Sequence, residues 1–179
     1  MQAGQLSEVL KITAVHNGRT GDNPVELVTL DLLLEESEGD PLSDAEANDL
    51  FDSLRVYLDD TSGSGAGSFQ PVEDREVASI TSLSLTSGVQ TFSFVDGDTD
   101  VEVPFGSDRC YFVVVEPAVG GTLASFRITP QTSTTSTAED AEFDIPLELA
   151  HTSDTTAVVV VNQSPVANAG ANQTVVCGS

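Results

Sequence analysis

Positive charge is what this sequence most lacks. Six Lys and Arg residues stand against 29 Asp and Glu, a net charge of -23, and Lys11 is its one lysine. A surface that negative repels phosphate backbones, so no nucleic-acid partner is expected. It repels anionic lipid as well, and no apolar run approaches the ~20 residues needed to cross a bilayer, so direct membrane insertion is not expected either. The opening Met1-Gln2-Ala3-Gly4-Gln5 has neither the basic start nor the apolar stretch of a secretion signal. If the protein is exported, its signal is expected to be cleaved or to lie outside this sequence. Tryptophan is missing altogether, which weighs against a sugar-binding platform of exposed aromatics. Histidine is scarce: His16 follows a strand pattern and His151 stands near another, each without a nucleophile beside it. No nucleophile elbow, HExxH or P-loop occurs, and in so acidic a chain any pair of carboxylates is uninformative. The expectation is a protein that is not an enzyme.

What is present is a real supply of core residues, 39% hydrophobic over 179 positions and mostly aliphatic, set in Thr, Ser, Val, Gly and Asp. That balance suits a secreted β module and is too apolar for a disordered chain. Residues 6–16 alternate, with Leu10, Ile12 and Ala14 on one face and Lys11 and Thr13 facing out. Asn17-Gly18 signals a turn, and 25–35 reads as a second strand. Ser43-Asp44-Ala45-Glu46 is a capping box, followed by Ala47, Leu50, Phe51 and Leu54 at helical spacing. The spacing predicts one short helix over about 44–54. Strands are predicted at 55–58, 77–85, 89–95, 100–104, 110–116, 122–130 and 156–162, with 143–150 extended. Residues 59–76 read as a Gly- and Asp-rich loop, and 131–140 as a Thr/Ser loop. Many short strands separated by turn signals predict an all-β fold, an Ig-like β-sandwich with one short inserted helix. Residues 1–162 form that module, and 163–179 a linker and a further strand.

Residues 164–176, Ser-Pro-Val-Ala-Asn-Ala-Gly-Ala-Asn-Gln-Thr-Val-Val, resemble the first strand of a PKD-type (polycystic-kidney-disease-type) domain. Pro165, Ala167, Ala169, Gly170 and Val175 carry the likeness, and Cys177 resembles the cysteine sometimes found at the end of that strand. The main body resembles a repeat module of large secreted surface proteins of environmental bacteria and archaea. The matching pieces are 51–60, 84–106, 111–116, 126–129 and 136–147. The resemblance implies an Ig-like fold, tandem arrangement and a cell-surface or matrix role, with no catalytic residues to carry over.

Two acidic stretches are candidate calcium sites, since hard cations take six to eight oxygen ligands. Asp59 and Asp60 open the first loop and Glu73 and Asp74 close it. Related modules show an EF-hand-like loop here, although Ser62 and Ser64 stand where further Asp or Asn belongs. The competing reading is a solvated loop. The second stretch, Asp96-Gly97-Asp98-Thr99-Asp100, places three carboxylates at alternating positions and reads equally as a polar hairpin turn. Cys110 and Cys177 could pair in an oxidising compartment, within or between chains. Asn162 and Asn172 begin glycosylation sequons. Val166, Ala167, Ala169, Val175 and Val176 form a candidate donor strand for the edge of another sheet. The expected function is a non-catalytic extracellular structural or adhesive module of a cell-surface protein, either arranged in tandem in a long protein or polymerised as a filament subunit by β-strand addition, its partners neighbouring copies or adjacent domains. The alternative is a carbohydrate-binding module of a secreted enzyme.

Overall fold

The computed structural model describes residues 1–59, 67–123, 125–131, 136–150 and 159–161. It is an all-β sandwich of two antiparallel sheets with one short helix, compatible with an Ig-like fold. The strands are β1 (Ser7–Val15), β2 (Val25–Ser37), β3 (Asp40–Pro41), β4 (Phe51–Leu58), β5 (Arg75–Ile80), β6 (Val89–Ser93), β7 (Glu102–Val103), β8 (Asp108–Pro117), β9 (Ser125–Pro130), β10 (Thr137–Asp140), β11 (Pro146–Leu147) and β12 (Val159–Val160). The helix α1 is Asp44–Leu50. Sheet 1 runs β1-β8-β4-β5, and sheet 2 runs β11-β10-β2-β9-β12.

Sheet 2 is built on β2. One edge of this strand pairs in turn with β7, β6 and β3, and the other with β10 and then β9. β11 lies beside β10 and β12 beside β9. Both therefore flank the same side of β2 but at opposite ends of it. At ~3.3 Å per residue the ends of β2 are roughly 40 Å apart, which gives the sandwich two poles. At the first pole lie the start of β2, the start of β8 and the end of β1. At the second lie the end of β2, Pro117, Ser7 and β12. The amino group of Met1 donates to the carbonyl of Val160 at 3.4 Å, and Gly4 N–H donates to Pro117 O at 2.7 Å, so the chain begins at the second pole.

The core lies between the sheets. Leu54 and Val56 of β4 and Tyr111, Val113 and Val115 of β8 face Leu30, Leu32 and Leu34 of β2 and Phe126 and Ile128 of β9. Phe51 meets Phe126 edge to face across the layers, with centroids 4.7 Å apart. β1 follows the alternation of its sequence: Leu10 is buried, Ile12 and Ala14 pack against the core, and Lys11 and Thr13 are exposed. Outside sheet 1, Phe69 covers a second cluster of Tyr57, Phe112 and Val114.

The helix starts as its capping box predicts. Ser43 Oγ accepts from Glu46 N–H, and Ser43 N–H donates to Glu46 Oε2 at 2.8 Å. It is shorter than the spacing predicts, ending at Leu50. Phe51 and Leu54 fit a helical stripe as well as a strand, but they pair with Pro117 and Val115 of β8. Burying β4 between β5 and β8 outweighs one further helical turn. Three further expectations are also corrected. Thr137–Asp140 is strand β10 rather than loop, because it has the edge of β2 to pair with. The strand predicted over 77–85 stops at Ile80, and the 143–150 stretch is paired only at Pro146–Leu147.

A tight turn joins β6 to the preceding segment. Thr86 and Val89 exchange both backbone hydrogen bonds, and the two central residues Ser87 and Gly88 have φ of 53° and 83°, the geometry of a type I′ turn. A Cβ on Gly88 would collide with Cβ of Pro41 and approach the carbonyl of Leu34. Gly88→Ala is expected to cost about 1–3 kcal/mol, read as a lower denaturant midpoint with an unchanged slope.

Tyr111 is 2% exposed and donates its hydroxyl to the Asp100 carbonyl at 3.0 Å. Burial, which disfavours the phenolate, pushes its pKa up from 10.0 to about 12. The neutral form is the folded one, so this contribution is complete below pH 10 and is lost as pH rises through about 12. Ultraviolet tyrosinate titration should show ionisation delayed past the ordinary range and coincident with unfolding. A tyrosine that ionises near pH 10 in the folded protein would contradict this burial.

Candidate functional site

The first pole carries the features with functional potential. β1, edge strand of sheet 1, and β10 with β11, at the margin of sheet 2, diverge there and leave an open apolar groove of about 660 Å³. Ile12 and Ala14 form one wall, Ala138 and Leu147 the other, and Leu30 and Tyr111 the floor. Val15, Phe143 and Leu147 on the rim are 55%, 63% and 40% exposed. Nothing in the sequence marks this groove, because its walls come from three separate stretches of chain. Among the described strands β1 is hydrogen-bonded only to β8, so no described strand pairs with its outer edge at the groove.

Beside the groove lies a concentration of carboxylates. Glu26 on β2 is directly opposite Glu102 on β7 and Glu139 on β10, which sets three glutamates in a row across three strands. Like charges directly opposite destabilise a sheet. Asp96 and Asp144 come in from the loops, and oxygens of Asp96, Glu139 and Asp144 lie within 4.8 Å of one another. Glu26 is 2% exposed and accepts from Gly97 N–H at 2.9 Å. Its pKa is raised, first by burial and then by Asp96, Glu102 and Glu139, against the lowering effect of the Gly97 bond. A divalent cation among these oxygens would remove the repulsion, and hard oxygen ligands of this kind suit calcium or magnesium.

The structure redistributes the residues that the sequence singles out. Of Asp96, Asp98 and Asp100, only Asp96 joins this cluster. Asp98 Oδ1 accepts from Asp100 N–H at 3.0 Å, and Val101 N–H donates to Asp98 O within the turn. Asp100 pairs with Arg75. At the β4–β5 connection, Asp59 and Asp74 are 7% and 9% exposed, while Glu73 is exposed. Asp74 Oδ2 accepts from Gln70 N–H at 2.6 Å and Asp59 Oδ2 from Gly67 N–H at 2.7 Å. Asp59 Oδ1 is buried and has no hydrogen-bond partner among the described residues, a state that an ordered water or cation would relieve. Asp60 lies outside the described residues.

Cys110 is half-buried and has no disulfide partner among the described residues. Its pKa is raised by burial and drawn back by Lys11. Its candidate partner Cys177 lies outside the described residues, as do Asn162, Asn172, Val166, Ala167, Ala169, Val175, Val176 and His151. His16 stacks edge to face on Phe105 at 5.7 Å. No described helix is long and apolar enough to cross a membrane.

No protein-family model matches the chain, and neither a curated protein nor a solved structure gives a significant match to it.

Because the pKa of Glu26 is raised, its contribution to stability is greatest below the usual carboxylate range and is lost as pH rises through its folded pKa. Glu26→Gln, which keeps an oxygen for Gly97 N–H, should raise the thermal midpoint at neutral pH. The gain should vanish in acid, where the glutamate is already neutral. A variant less stable than wild type at both pH values would show that the repulsion is already compensated.

Proposed function

We propose that this chain is a non-catalytic structural or adhesive module of an extracellular cell-surface protein, which associates with copies of itself or with adjacent domains by β-strand addition. The observation that carries the reading is the open apolar groove beside the outer edge of β1, with which no described strand pairs. Natural sandwiches shield such edges unless they are used, and an extended segment added there gains main-chain hydrogen bonds along with apolar burial. The likeness of the main body to a secreted repeat module, and of 164–176 to the first strand of a PKD-type domain, supports a setting among tandem surface domains. The net charge of -23 keeps such a module soluble and free of nucleic acid.

Calcium is the proposed ion. It binds at Asp96, Glu139 and Asp144, with the buried oxygen of Asp59 as a second point of attachment. Its role is structural, holding β2, β10 and the 96–101 turn together against their own charge.

Sedimentation velocity and negative-stain imaging test association, which is expected to grow with protein concentration. A strictly monomeric particle in salt that screens the net charge would sink the reading. Thermal melting in calcium and then in chelator tests the ion. The midpoint should rise with calcium, and Glu139→Gln should reduce that rise. A midpoint indifferent to calcium would remove the ion from the account.

A further inference from the structure

Between β1 and β2 the chain is fastened at two points, with a loose pair of residues between them. His16, the residue after β1, donates its backbone N–H to Ser107 O at 3.3 Å. Arg19 and Asp22 close a turn: Arg19 N–H donates to Asp22 Oδ2 at 2.6 Å, and Asp22 N–H to Arg19 O at 3.0 Å. Asn17 and Gly18 lie between, both exposed. Among the described residues neither the Asn17 side chain nor the Gly18 N–H has a hydrogen-bond partner. The His16 ring lies against this pair. It stacks edge to face on Phe105, and its Nδ1 is buried with no partner among the described residues. Its Nε2 is 2.6 Å from the place that a Cβ on Gly18 would take, and Asp22 Oδ2 is 2.5 Å from the same place. Only a residue without a side chain fits there, and Nε2 is no more than roughly 5 Å from the Gly18 nitrogen.

We infer that Asn17 is a site of self-modification: its side chain cyclises onto the Gly18 nitrogen with His16 as general base, and the ring then opens to aspartate or isoaspartate. The neutral imidazole with its proton on Nδ1 presents the Nε2 lone pair, which takes the Gly18 N–H proton directly or through a water. The Gly18 nitrogen attacks Cγ of Asn17 and a C–N bond forms. The side-chain amide nitrogen leaves as ammonia, carrying away the proton that His16 returns. Water then adds to either carbonyl of the succinimide ring and breaks the adjoining C–N bond. Opening at the side-chain carbonyl gives aspartate, and opening at the backbone carbonyl gives isoaspartate. In sum a water is consumed and an ammonia released, with no change of oxidation state. Glycine suits the attack because no Cβ crowds its nitrogen. The other candidates are blocked. Gly97 N–H, after Asp96, is held by buried Glu26 at 2.9 Å. Asn23 precedes Pro24, which has no N–H to lose. Asn48 is bonded through both its amide nitrogen and its oxygen. Conversion of Asn17 adds a carboxylate to the mouth of the groove, which this residue lines with Asp22 and Asp140. Isoaspartate would also lengthen the β1–β2 connection by a backbone carbon.

The test follows the full folded chain in neutral buffer, warmed below its thermal midpoint, with a sample digested before warming as the background. Trypsin cuts after Lys11 and Arg19, so the peptide Ile12–Arg19 reports on Asn17 alone. With time this peptide should give way to a pair of products with the mass of an amide exchanged for an acid, resolved by chromatography as aspartate and isoaspartate. The peptide that holds Asp96-Gly97 should keep its original backbone. His16→Phe keeps a ring against Phe105 but cannot take up the proton. It should slow conversion in the folded chain roughly tenfold, short of what a fully positioned general base supplies. In denaturant, where no ring is held against Gly18, wild type and H16F should convert alike. Asn17 left intact in the folded chain, under conditions where the denatured chain converts, would overturn the inference. Equal folded-state rates for wild type and H16F would overturn it as well. Should H16F lose its thermal midpoint, Asp22→Ala decides instead. It unfastens the exposed turn that holds Gly18 beside the ring, so conversion should slow in the folded chain only, and an unchanged rate would count against the inference.

Discussion

The architecture depends on β2 pairing along both edges. Thirteen residues long, it carries β7, β6 and β3 on one side and β10 and β9 on the other. Its backbone therefore sets the register of most of sheet 2. Leu30, Leu32 and Leu34 face the core, and a slip of one residue would turn that face outward. The same pairing explains the carboxylate row. Register that is right for the leucines puts Glu26 directly between Glu102 and Glu139, so the repulsion there is a by-product of a constraint set elsewhere in the strand.

What the sequence displays is what is local. The alternation of β1, the apolar run of β8 and the Ser43–Glu46 capping box each lie within a dozen residues, and each forms as the sequence predicts. The discrepancies occur where pairing between distant segments decides. Phe51 and Leu54 satisfy two periodicities, and β8 selects the strand. Thr137–Asp140 has loop-like composition but a partner in β2. The acidic cluster joins positions 26, 96, 139 and 144, a set that no spacing rule could assemble. Alternation in Asp96-Gly97-Asp98-Thr99-Asp100 marks the neighbourhood without identifying the partners, because turn hydrogen bonds and Arg75 engage two of the three aspartates.

Charge and edge exposure vary along β1 from the second pole to the first. β1, the margin of sheet 1 among the described strands, carries Glu8 and Lys11, and Lys11 is held to Gly67 O at 3.1 Å with its ammonium 5.7 Å from the centre of the Phe112 ring. Charged side chains along an edge discourage indiscriminate pairing. The apolar end of the same strand, from Ile12 to Val15, opens into the groove. Selectivity for a partner thus varies along a single strand, from discouraging at its start to receptive at its end.

The placement of β12 has a mechanical consequence. Its described pairing with β9 covers Val159 and Val160, and the strand runs toward the second pole along the axis of β2. Tension on the carboxyl-terminal side would load that short ladder in shear, straining its hydrogen bonds together instead of opening them one after another. Val161, 5% exposed in the core beside it, would resist extraction as an anchor.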